Sequence, residues 1–542
     1  MDSEIGPRRV FELARGMTLK NAAANLPFGG SKSGIIADPD SIDPEQRTVL
    51  MSAFGRLLGA YRHVHNPGPD VGTGDGDMGL FASLNGLNEV VSKPARMGGN
   101  EIDAIGAAAL GVVDALEAFF QEKDRLATLP QCKDLARLTR DKCTVMIQGF
   151  GAVGASAARI LHHKGFNIVG ISDVDGYLYD PDGLDIDGLL AALSADKRVT
   201  AKYFVEEMYK APLGGRRRRI KFSNSANDML FLDADVFIPA SKAQHYLQTP
   251  ENGMTDMPTP MQAKFKVVIE GANTYSSAKQ ARYARHRMEY QLFHERGVFI
   301  APDFLVNSGG VIFAAHERIV RTPENLLPPT GIPLSSFNAF VAEHKAEFES
   351  LASLRRETAE KHLHEIMWEN VHQLVSRLLS DPDLCPQQAA EVIAMERMQG
   401  RYVRDVSSAD VQRFDKDTPL KEAAVRMTAG EFELATVVDG AGVLLGICTV
   451  WDIAAAFGKD TGKTIVDIMR TKDVVTVRPG DLLLAAVAQM ESNAVSCIPV
   501  VEDGTNRVVG IITSDMLLNR METRPGHSTM LARPSSSELW PR

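Results

Sequence analysis

The hydrophobic positions along this chain change period several times, and each change predicts an element. Between Ala104 and Phe120, Ala, Leu, Val and Phe recur at helical spacing, closing a glycine-rich stretch from Met1 that reads as α/β. Residues 121–142 follow as a charged, helix-prone connection. The period then shortens. Cys143-Thr-Val-Met-Ile147 reads as a strand that runs into Gly149-Phe-Gly-Ala-Val-Gly154 and an alanine-rich helix. Asn167-Ile-Val-Gly-Ile171 is a second strand, ending in Ser172-Asp173, and Val236-Phe-Ile238 and Val267-Val-Ile269 are two more. Strands alternating with helices signal a parallel sheet. Residues 331–400 read mainly as helix, with Lys345 to Leu379 carrying apolar positions at three and four spacing, and a break falls near Gly400.

Beyond that break the pattern repeats with a period of 63 to 64 residues. Leu420 to Met427 parallels Leu483 to Met490, Thr436-Val-Val438 parallels Pro499-Val-Val501, and Gly446-Ile-Cys-Thr449 parallels Gly510-Ile-Ile-Thr513. The tail from Met521 to Arg542, rich in Pro, Ser and Arg, is expected to be disordered.

At 542 residues the chain is too long for one core and should be multidomain. A hydrophobic fraction of 44% with 24% charged residues is that of a globular protein rather than a disordered or membrane one. The net charge of -10 argues against nucleic acid as a partner, and the basic run Arg216 to Arg219 reads as a solvated loop. No apolar run reaches the ~18 residues of a membrane helix. Five scattered cysteines, Cys132, Cys143, Cys385, Cys448 and Cys497, form no CxxC pair, so no metal site is expected and a reducing cytoplasm is the natural location.

Gly149-x-Gly151-x-x-Gly154 lies between a predicted strand and a predicted helix, the context a Rossmann fingerprint requires. Small residues at Gly149, Gly151, Ala152 and Gly154, beside Phe150 and Val153, let backbone N–H groups approach a pyrophosphate. Asp173, 24 residues after Gly149, would accept hydrogen bonds from the adenosine ribose, which favours NAD over NADP because a 2′-phosphate would meet a like charge. The bland alternative is a tight strand-to-helix turn without a ligand.

Near the start stand Lys20-Asn21, then Leu26-Pro-Phe-Gly-Gly-Ser-Lys-Ser-Gly34, then Pro69-Asp70-Val-Gly-Thr73. Lys20 and Lys32 are twelve residues apart. Two ammonium groups brought together disfavour each other's protonation, and burial adds to this, so one of them is expected to approach a pKa useful near neutral pH. Each residue alone has a plain reading: Lys20 a surface lysine at a helix start, Lys32 a snorkelling loop lysine, Asp70 the opening of a turn.

Taken in order, these motifs resemble the glutamate/leucine/phenylalanine/valine dehydrogenase family. The resemblance rests on Arg15-Gly-Met-Thr-Leu-Lys20, the two segments just quoted, Gly-Phe-Gly-Ala-Val-Gly, Ile-Ser-Asp-Val-Asp-Gly, Val-Ile-Glu-Gly-Ala-Asn273 and Asn307-Ser-Gly-Gly-Val311, and covers roughly residues 10 to 400. It implies that Lys20 holds the substrate α-carboxylate, Lys32 is the catalytic lysine and Asp70 exchanges protons with the amine. Asn273 and Asn307 would lie near the nicotinamide ribose and the substrate. The implied reaction is reversible oxidative deamination of an L-amino acid to a 2-oxo acid and ammonia, in a homo-oligomer.

Several departures qualify the resemblance. Family members carry further residues ahead of the first matched lysine, including a Gly-Gly-x-Lys/Arg substrate segment, so the substrate domain is expected to be incomplete at its N-terminus. Ala104-Ile105-Gly106 stands where the family has Ala-Thr before a glycine, and Ala314 stands where its glutamate enzymes place a serine. The side-chain carboxylate of glutamate then lacks a visible partner, and a smaller apolar amino acid becomes an option. The segment from Pro239 to Gln244 and the insertion Gln248 to Met261 also differ from the family pattern.

The C-terminal repeat resembles a pair of CBS domains, βαββα modules that commonly bind adenine nucleotides. Thr449 and Asp452 carry the hydroxyl and carboxylate of the first repeat; Thr513 and Asp515 carry those of the second, one residue closer together. One competent cleft is therefore favoured over two, with dimerisation alone as the other reading. The expected architecture is α/β throughout. It comprises a partial substrate domain (1–120), a Rossmann-like NAD-binding domain (121–330), a helical segment (331–400), tandem CBS domains (401–520) and a tail (521–542). The competing function is a catalytically degenerate, nucleotide-sensing regulatory protein.

Overall fold

In the computed structural model the described residues are all except 63, 194–197, 211–219, 242–262, 275–278, 330–331, 399–401, 431, 458–461, 503 and 517–542. The arginine run 216–219, the insertion 248–261, the break at Gly400, the tail from Met521 and the second half of the 239–244 segment lie outside them. The chain divides into two compact units between Met395 and Glu396.

The centre of the first unit is a seven-stranded sheet. Its strands are β1 (Thr144–Gln148), β2 (Asn167–Asp173), β3 (Gly176–Tyr179), β4 (Lys221–Ser223), β5 (Val236–Pro239), β6 (Val267–Ile269) and β7 (Phe299–Ala301), in the order β4-β3-β2-β1-β5-β6-β7. From β2 to β7 all pairs are parallel, whereas β3 and β4 add to the edge antiparallel. Continuous apolar runs such as Val145-Met146-Ile147 are buried because helices cover both faces. The four strands expected from the sequence are present. The edge pair β3–β4 and the strand β7 were not anticipated, since runs of three or four residues carry too few positions for a period to show. Gly176 makes the β2–β3 turn possible: its φ is +146°, and a Cβ there would lie 2.0 Å from the Ser223 carbonyl oxygen.

The first 120 residues differ from the α/β pattern read for them. Their described backbone is helical, with helices Pro7–Ala23, Pro44–Gly59, Asp75–Asn85 and Ala107–Leu126, and a single isolated parallel bridge between Asp2 and Ile36. Prolines at helix starts and glycine-rich loops replace the β-branched alternation a sheet would need. The helix Ala107–Leu126 packs on the sheet, where Phe119 stacks on Phe299 at 5.1 Å. The helices Leu334–Glu343, Lys345–Ser380 and Pro386–Met398 bear out the helical reading of 331–400.

The second unit has two βαββα-like halves. β8 (Gln412–Phe414), the helix Leu420–Ala429, β9 (Leu434–Val438), β10 (Leu444–Thr449) and the helix Val450–Phe457 form the first. A bridge at Val477, the helix Leu483–Asn493, β11 (Cys497–Val501) and β12 (Val508–Thr513) repeat it. The lead-in of each half pairs with the other half. Tyr402 and Ser408 bridge to Leu482 and Ile511, and their counterparts Thr464 and Arg470 bridge to Pro419 and Ile447.

Two buried polar joints hold the first unit together. Glu317, fully buried, takes the Lys93 ammonium on Oε2 at 2.5 Å and the Ser92 and Asn100 backbone N–H groups on Oε1. Arg355 of the long helix spends its guanidinium on the carbonyls of Val320, Gly98 and Glu317 and on the Thr322 hydroxyl. The second joint is a histidine relay: Thr358 Oγ1 meets His316 Nδ1 at 3.1 Å, His316 Nε2 meets His362 Nδ1 at 3.0 Å, and His362 Nε2 meets the Ala24 carbonyl at 3.0 Å. The carbonyl can only accept, so His362 donates to it from Nε2, and a neutral His362 then accepts from His316 on Nδ1.

Burial, and then the neighbouring His362, push His316 down from 6.5 to about 3. The unfolded chain therefore binds more protons between these values, and stability falls as the pH drops from about 6.5 towards 3, by up to ~1.4 kcal/mol per pH unit. Urea unfolding midpoints measured at pH 7.5, 6 and 5 should fall in that order, and His316→Gln should flatten the slope; equal slopes for both proteins would contradict the relay.

Candidate active site

The helix Pro7–Ala23 carries Lys20 in its last turn, not at a helix start as the isolated reading had it. Next to it, Asn21 is buried and donates from Nδ2 to the Gly29 carbonyl at 2.7 Å, which fastens the glycine-rich loop to the helix end. Gly30 presses the same loop onto the same helix. A Cβ there would stand 2.2 Å from the Thr18 nitrogen and 2.3 Å from the Ala14 oxygen. Only glycine permits that approach, and it sets Lys32 two residues later.

Lys32 forms an ion pair with Asp70 Oδ2, with Lys32 largely covered and Asp70 half-exposed. Asp70 is itself held by a tight turn, in which its N–H donates to Thr73 Oγ1 at 2.8 Å and its Oδ1 accepts from Val71 N at 2.7 Å. Burial pushes the Asp70 carboxyl up, but the Lys32 charge and hydrogen bond, the Val71 N–H and the Lys20 charge outweigh it and hold the group below the ordinary carboxylate range. Lys20 is the lysine drawn down. Enclosure by protein lowers it, Asp303 opposes, Lys32 lowers it further and Asp70 opposes, leaving it at about 8.

Lys20 Nζ donates to Asn273 Oδ1 at 2.7 Å, and Asn307 Nδ2 reaches the same oxygen at 3.2 Å. Four of the residues singled out from the sequence thus form two contact pairs, Lys20–Asn273 and Lys32–Asp70, whose charges act on each other, with Asn307 behind the first. The loop after β6 is fixed from below: Thr274 N donates to Asp303 Oδ2 at 2.6 Å and Thr274 Oγ1 to Glu270 Oε2 at 2.7 Å. Arg285 holds Glu270 and Glu289, whose carboxyl burial pushes up. Sequence reading passed over Glu270, Arg285 and Asp303, because nothing in their spacing marks three residues from three elements as neighbours.

The glycine turn follows β1. Gly149 has φ +93°, Gly151 is the N-cap of the helix Ala152–His163, and a Cβ on Gly154 would lie 1.8 Å from the Gly149 oxygen. Ala152, Val153 and Gly154 form the first turn of that helix, whose backbone N–H groups have no intrahelical acceptor, while Phe150 is buried. This cradle fits a pyrophosphate. Asn307 Oδ1 and Ser308 Oγ are buried without a hydrogen-bond partner, a further polar surface beside the Asn273 loop.

Asp173 has a second occupation. Its Oδ2 accepts from Val199 N at 2.7 Å and Thr200 N at 2.9 Å, and its Oδ1 from Thr200 Oγ1 at 2.5 Å and Asp175 N at 2.9 Å. Those bonds match the roughly four lone-pair sites of a carboxylate. Asp173 therefore caps the helix Thr200–Lys210, and a ribose hydroxyl would have to share it. Asp175 adjoins it, paired with Arg198 at 3.2 Å.

In the second unit Thr449 N and Oγ1 both donate to Asp452 Oδ2, at 3.0 and 2.7 Å, and Arg470 donates to Asp452 Oδ1 at 3.1 Å. In the second half Thr513 Oγ1 accepts from Met516 N at 3.2 Å, while Asp515 is exposed. Met516, three residues on, takes the place that Asp452 has in the first half.

Residues 1–84 match the "Glu/Leu/Phe/Val dehydrogenase, dimerisation domain" family and residues 98–322 the "Glutamate/Leucine/Phenylalanine/Valine dehydrogenase" family. The chain belongs to this dehydrogenase family. Residues 403–459 and 465–523 match the CBS domain, so the dehydrogenase carries a CBS pair behind it. It is similar to the NAD-specific glutamate dehydrogenase of Staphylococcus aureus (strain COL), at 29% identity over 325 residues, 58% of this chain and 67% of that protein. It is also similar to NAD-specific glutamate dehydrogenase A of Halobacterium salinarum, at 28% identity over 56% of this chain and 60% of that one. A solved structure of Plasmodium falciparum glutamate dehydrogenase 2 shares the fold, with a TM-score of 0.52 at 16% identity over 73% of this chain and 75% of that one.

The close approach at Gly30 generates a direct test in this dehydrogenase. Gly30→Ala forces either the loop or the Ala14–Thr18 backbone to move and should displace Lys32 by an ångström or so, which costs on the order of 100-fold in turnover. Dinucleotide affinity, measured by fluorescence titration, should stay within about threefold of wild type, since the cradle after β1 is untouched; unchanged turnover would refute the role given to the close approach.

Proposed function

We propose that this chain catalyses the reversible, NAD-dependent oxidative deamination of an L-amino acid: amino acid, NAD⁺ and water give 2-oxo acid, ammonium, NADH and a proton. The observation that carries this reading is the single charged set of Lys20, Lys32, Asp70 and Asn273. Lys20 holds the α-carboxylate, with Asn273 Oδ1 accepting from its ammonium and Asn307 Nδ2 donating to that same oxygen. Lys32 and Asp70 take up and return protons at the amine and at the water that replaces it. Gly149, Phe150, Gly151, Ala152, Val153 and Gly154 would hold the dinucleotide, whose nicotinamide accepts the hydride from Cα. The names of the relatives support NAD rather than NADP, as do the adjacent carboxylates of Asp173 and Asp175.

The substrate class is open to two directions of support. The relatives are glutamate enzymes, whereas Ala314, half-buried on the helix Gly309–Ile319, offers no hydroxyl to a side-chain carboxylate. Self-association is supported by the dimerisation-domain match and by Val49, Leu57 and Tyr61, large apolar residues exposed on and just after the helix Pro44–Gly59. Among the described residues no helix is long and apolar enough to cross a membrane. The five cysteines are free and buried, which supports a reducing, cytoplasmic setting. Ile105, which cannot donate or accept where the family has threonine, favours the second reading, a degenerate nucleotide sensor.

An amino-acid panel with NAD and NADP separates the two readings. Turnover with NAD that Lys32→Ala abolishes supports the enzyme; dinucleotide binding without turnover on any amino acid supports the sensor. In the reductive direction kcat/KM for the 2-oxo acid should fall above about pH 8, because Lys20 loses the charge that binds the carboxylate. Lys20→Arg, charged at every accessible pH, should move that fall upward.

For the CBS pair we infer a single adenine-nucleotide cleft that regulates the dehydrogenase, with Thr449, Asp452 and Arg470 meeting ribose and phosphate. Arg470 enters the first half from the lead-in of the second, and its counterpart by the repeat, Ser408, carries no charge. Thr513 and Asp515 are accordingly left without a partner cation of that kind. In AMP and ATP titrations Asp452→Ala should weaken binding at least about tenfold and Asp515→Ala less than about twofold; equal effects would sink the one-cleft reading.

A further inference from the structure

His65 belongs to none of the motifs that carry the family, yet its ring stands between the two serines that flank Lys32. Ser31 Oγ lies 2.5 Å from His65 Nδ1 and Ser33 Oγ lies 3.1 Å from His65 Nε2. Both ring nitrogens are therefore committed to the two neighbours of one lysine. Burial and then the Lys32 charge lower the His65 pKa, in keeping with a neutral ring beside an ammonium group. A neutral imidazole has one donor and one acceptor, and a hydroxyl can serve either, so the two serines satisfy it in either tautomer.

The segment that follows His65 is stiff. Pro67 and Pro69 restrict the backbone, Asn66 Nδ2 donates to the Glu89 carbonyl at 3.0 Å, and the Pro67 carbonyl accepts from Val91 N at 3.0 Å. Asp70 ends that segment. One anchored arm thus grips the loop twice, through His65 on the serines and through Asp70 on the lysine. Residues 29–34 have no helix or strand of their own to fix Lys32. Asn21 and Gly30 hold the near side of the loop against the first helix; His65 holds the residues on either side of the lysine itself.

We propose that His65 is a positioning residue: by bonding Ser31 and Ser33 with its two ring nitrogens it fixes the backbone around Lys32 and sets that ammonium against Asp70. The proposal rests on the reading of Lys32 and Asp70 as the proton-transfer pair. It assigns His65 no contact with substrate or dinucleotide.

The test uses the full chain with His65→Ala, His65→Gln and the double variant Ser31→Ala/Ser33→Ala. Two readouts are taken: amino-acid oxidation, and the rate at which trinitrobenzenesulfonate labels Lys32, followed by peptide mass spectrometry. His65→Ala should lower kcat about ten- to a hundredfold with KM for NAD within about twofold. Imidazole added to His65→Ala, or glutamine at the position, should restore part of the loss, and the serine double variant should reproduce it with the histidine still in place. Lys32 labelling should change at least about threefold in His65→Ala and in the serine double variant. Unchanged kcat and unchanged labelling in a folded His65→Ala overturn the proposal, as does a wild-type kcat in the serine double variant should His65→Ala not fold. If the wild-type chain oxidises no amino acid, the dehydrogenase reading fails by itself. The labelling readout still decides the proposal: altered Lys32 labelling sustains the positioning role and unaltered labelling ends it.

Discussion

Two ammonium groups drawn into one partly water-excluded cleft must be given carboxylates and carbonyl oxygens, or one of them must give up its proton. The site of this chain follows from how that demand is met unequally. Lys32 has a carboxylate of its own, Asp70, in direct contact. Lys20 has an amide oxygen in contact and only more distant opposing charges, from Asp303 and Asp70, so the burden of enclosure falls on it. The asymmetry sorts the two lysines chemically: one sits in an ion pair at the exposed edge, the other keeps a charge that pH can remove.

That inequality depends on distances the fold enforces from three directions. The Gly30 contact and the Asn21 bond press the lysine loop on the helix that carries Lys20. The prolines and the Thr73 hydroxyl fix the arm that carries Asp70. The buried carboxylates Glu270 and Asp303 hold the loop that presents Asn273. Farther out, the histidine relay joins the long helix Lys345–Ser380 to Ala24, just past the helix that carries Lys20, and the Lys93–Glu317 pair joins the helix Gly309–Ile319 to the loop that carries Lys93. A buried ion pair is weak evidence of net stabilisation, since desolvation offsets most of the attraction. What such groups contribute here is a single arrangement, because each has one set of partners that satisfies it.

The parts of this architecture visible in the sequence are those that rest on local pattern. A five-residue apolar run before a glycine turn, a helical period over 345–379 and a repeat of 63 to 64 residues each carry their own signal, and each corresponds to an observed element. The lysines, Asp70 and the asparagines were legible because they stand in recognisable short motifs. Asp303 and His65 were not, since their roles exist only through residues distant in the chain or on another loop. Asp173 shows the converse. Its position at the end of β2 is what a ribose-binding carboxylate requires, but position does not reveal that the N-terminus of the next helix already uses its oxygens.

The CBS unit shows how a repeat that is symmetric in backbone becomes asymmetric in chemistry. The exchange of lead-in segments obeys the repeat: Tyr402 and Thr464, and Ser408 and Arg470, bridge to equivalent positions in the opposite half. In the first half the exchange also brings a side chain from the neighbouring half's lead-in, Arg470, onto Asp452. Arginine at 470 completes the Thr449–Asp452 pair of the first half, and the missing residue between Thr513 and Asp515 moves the second carboxylate off the corresponding place. The two changes act in the same direction: Asp452 of the first half is paired with Arg470 and Asp515 of the second is exposed, while the two halves keep equivalent backbone pairing.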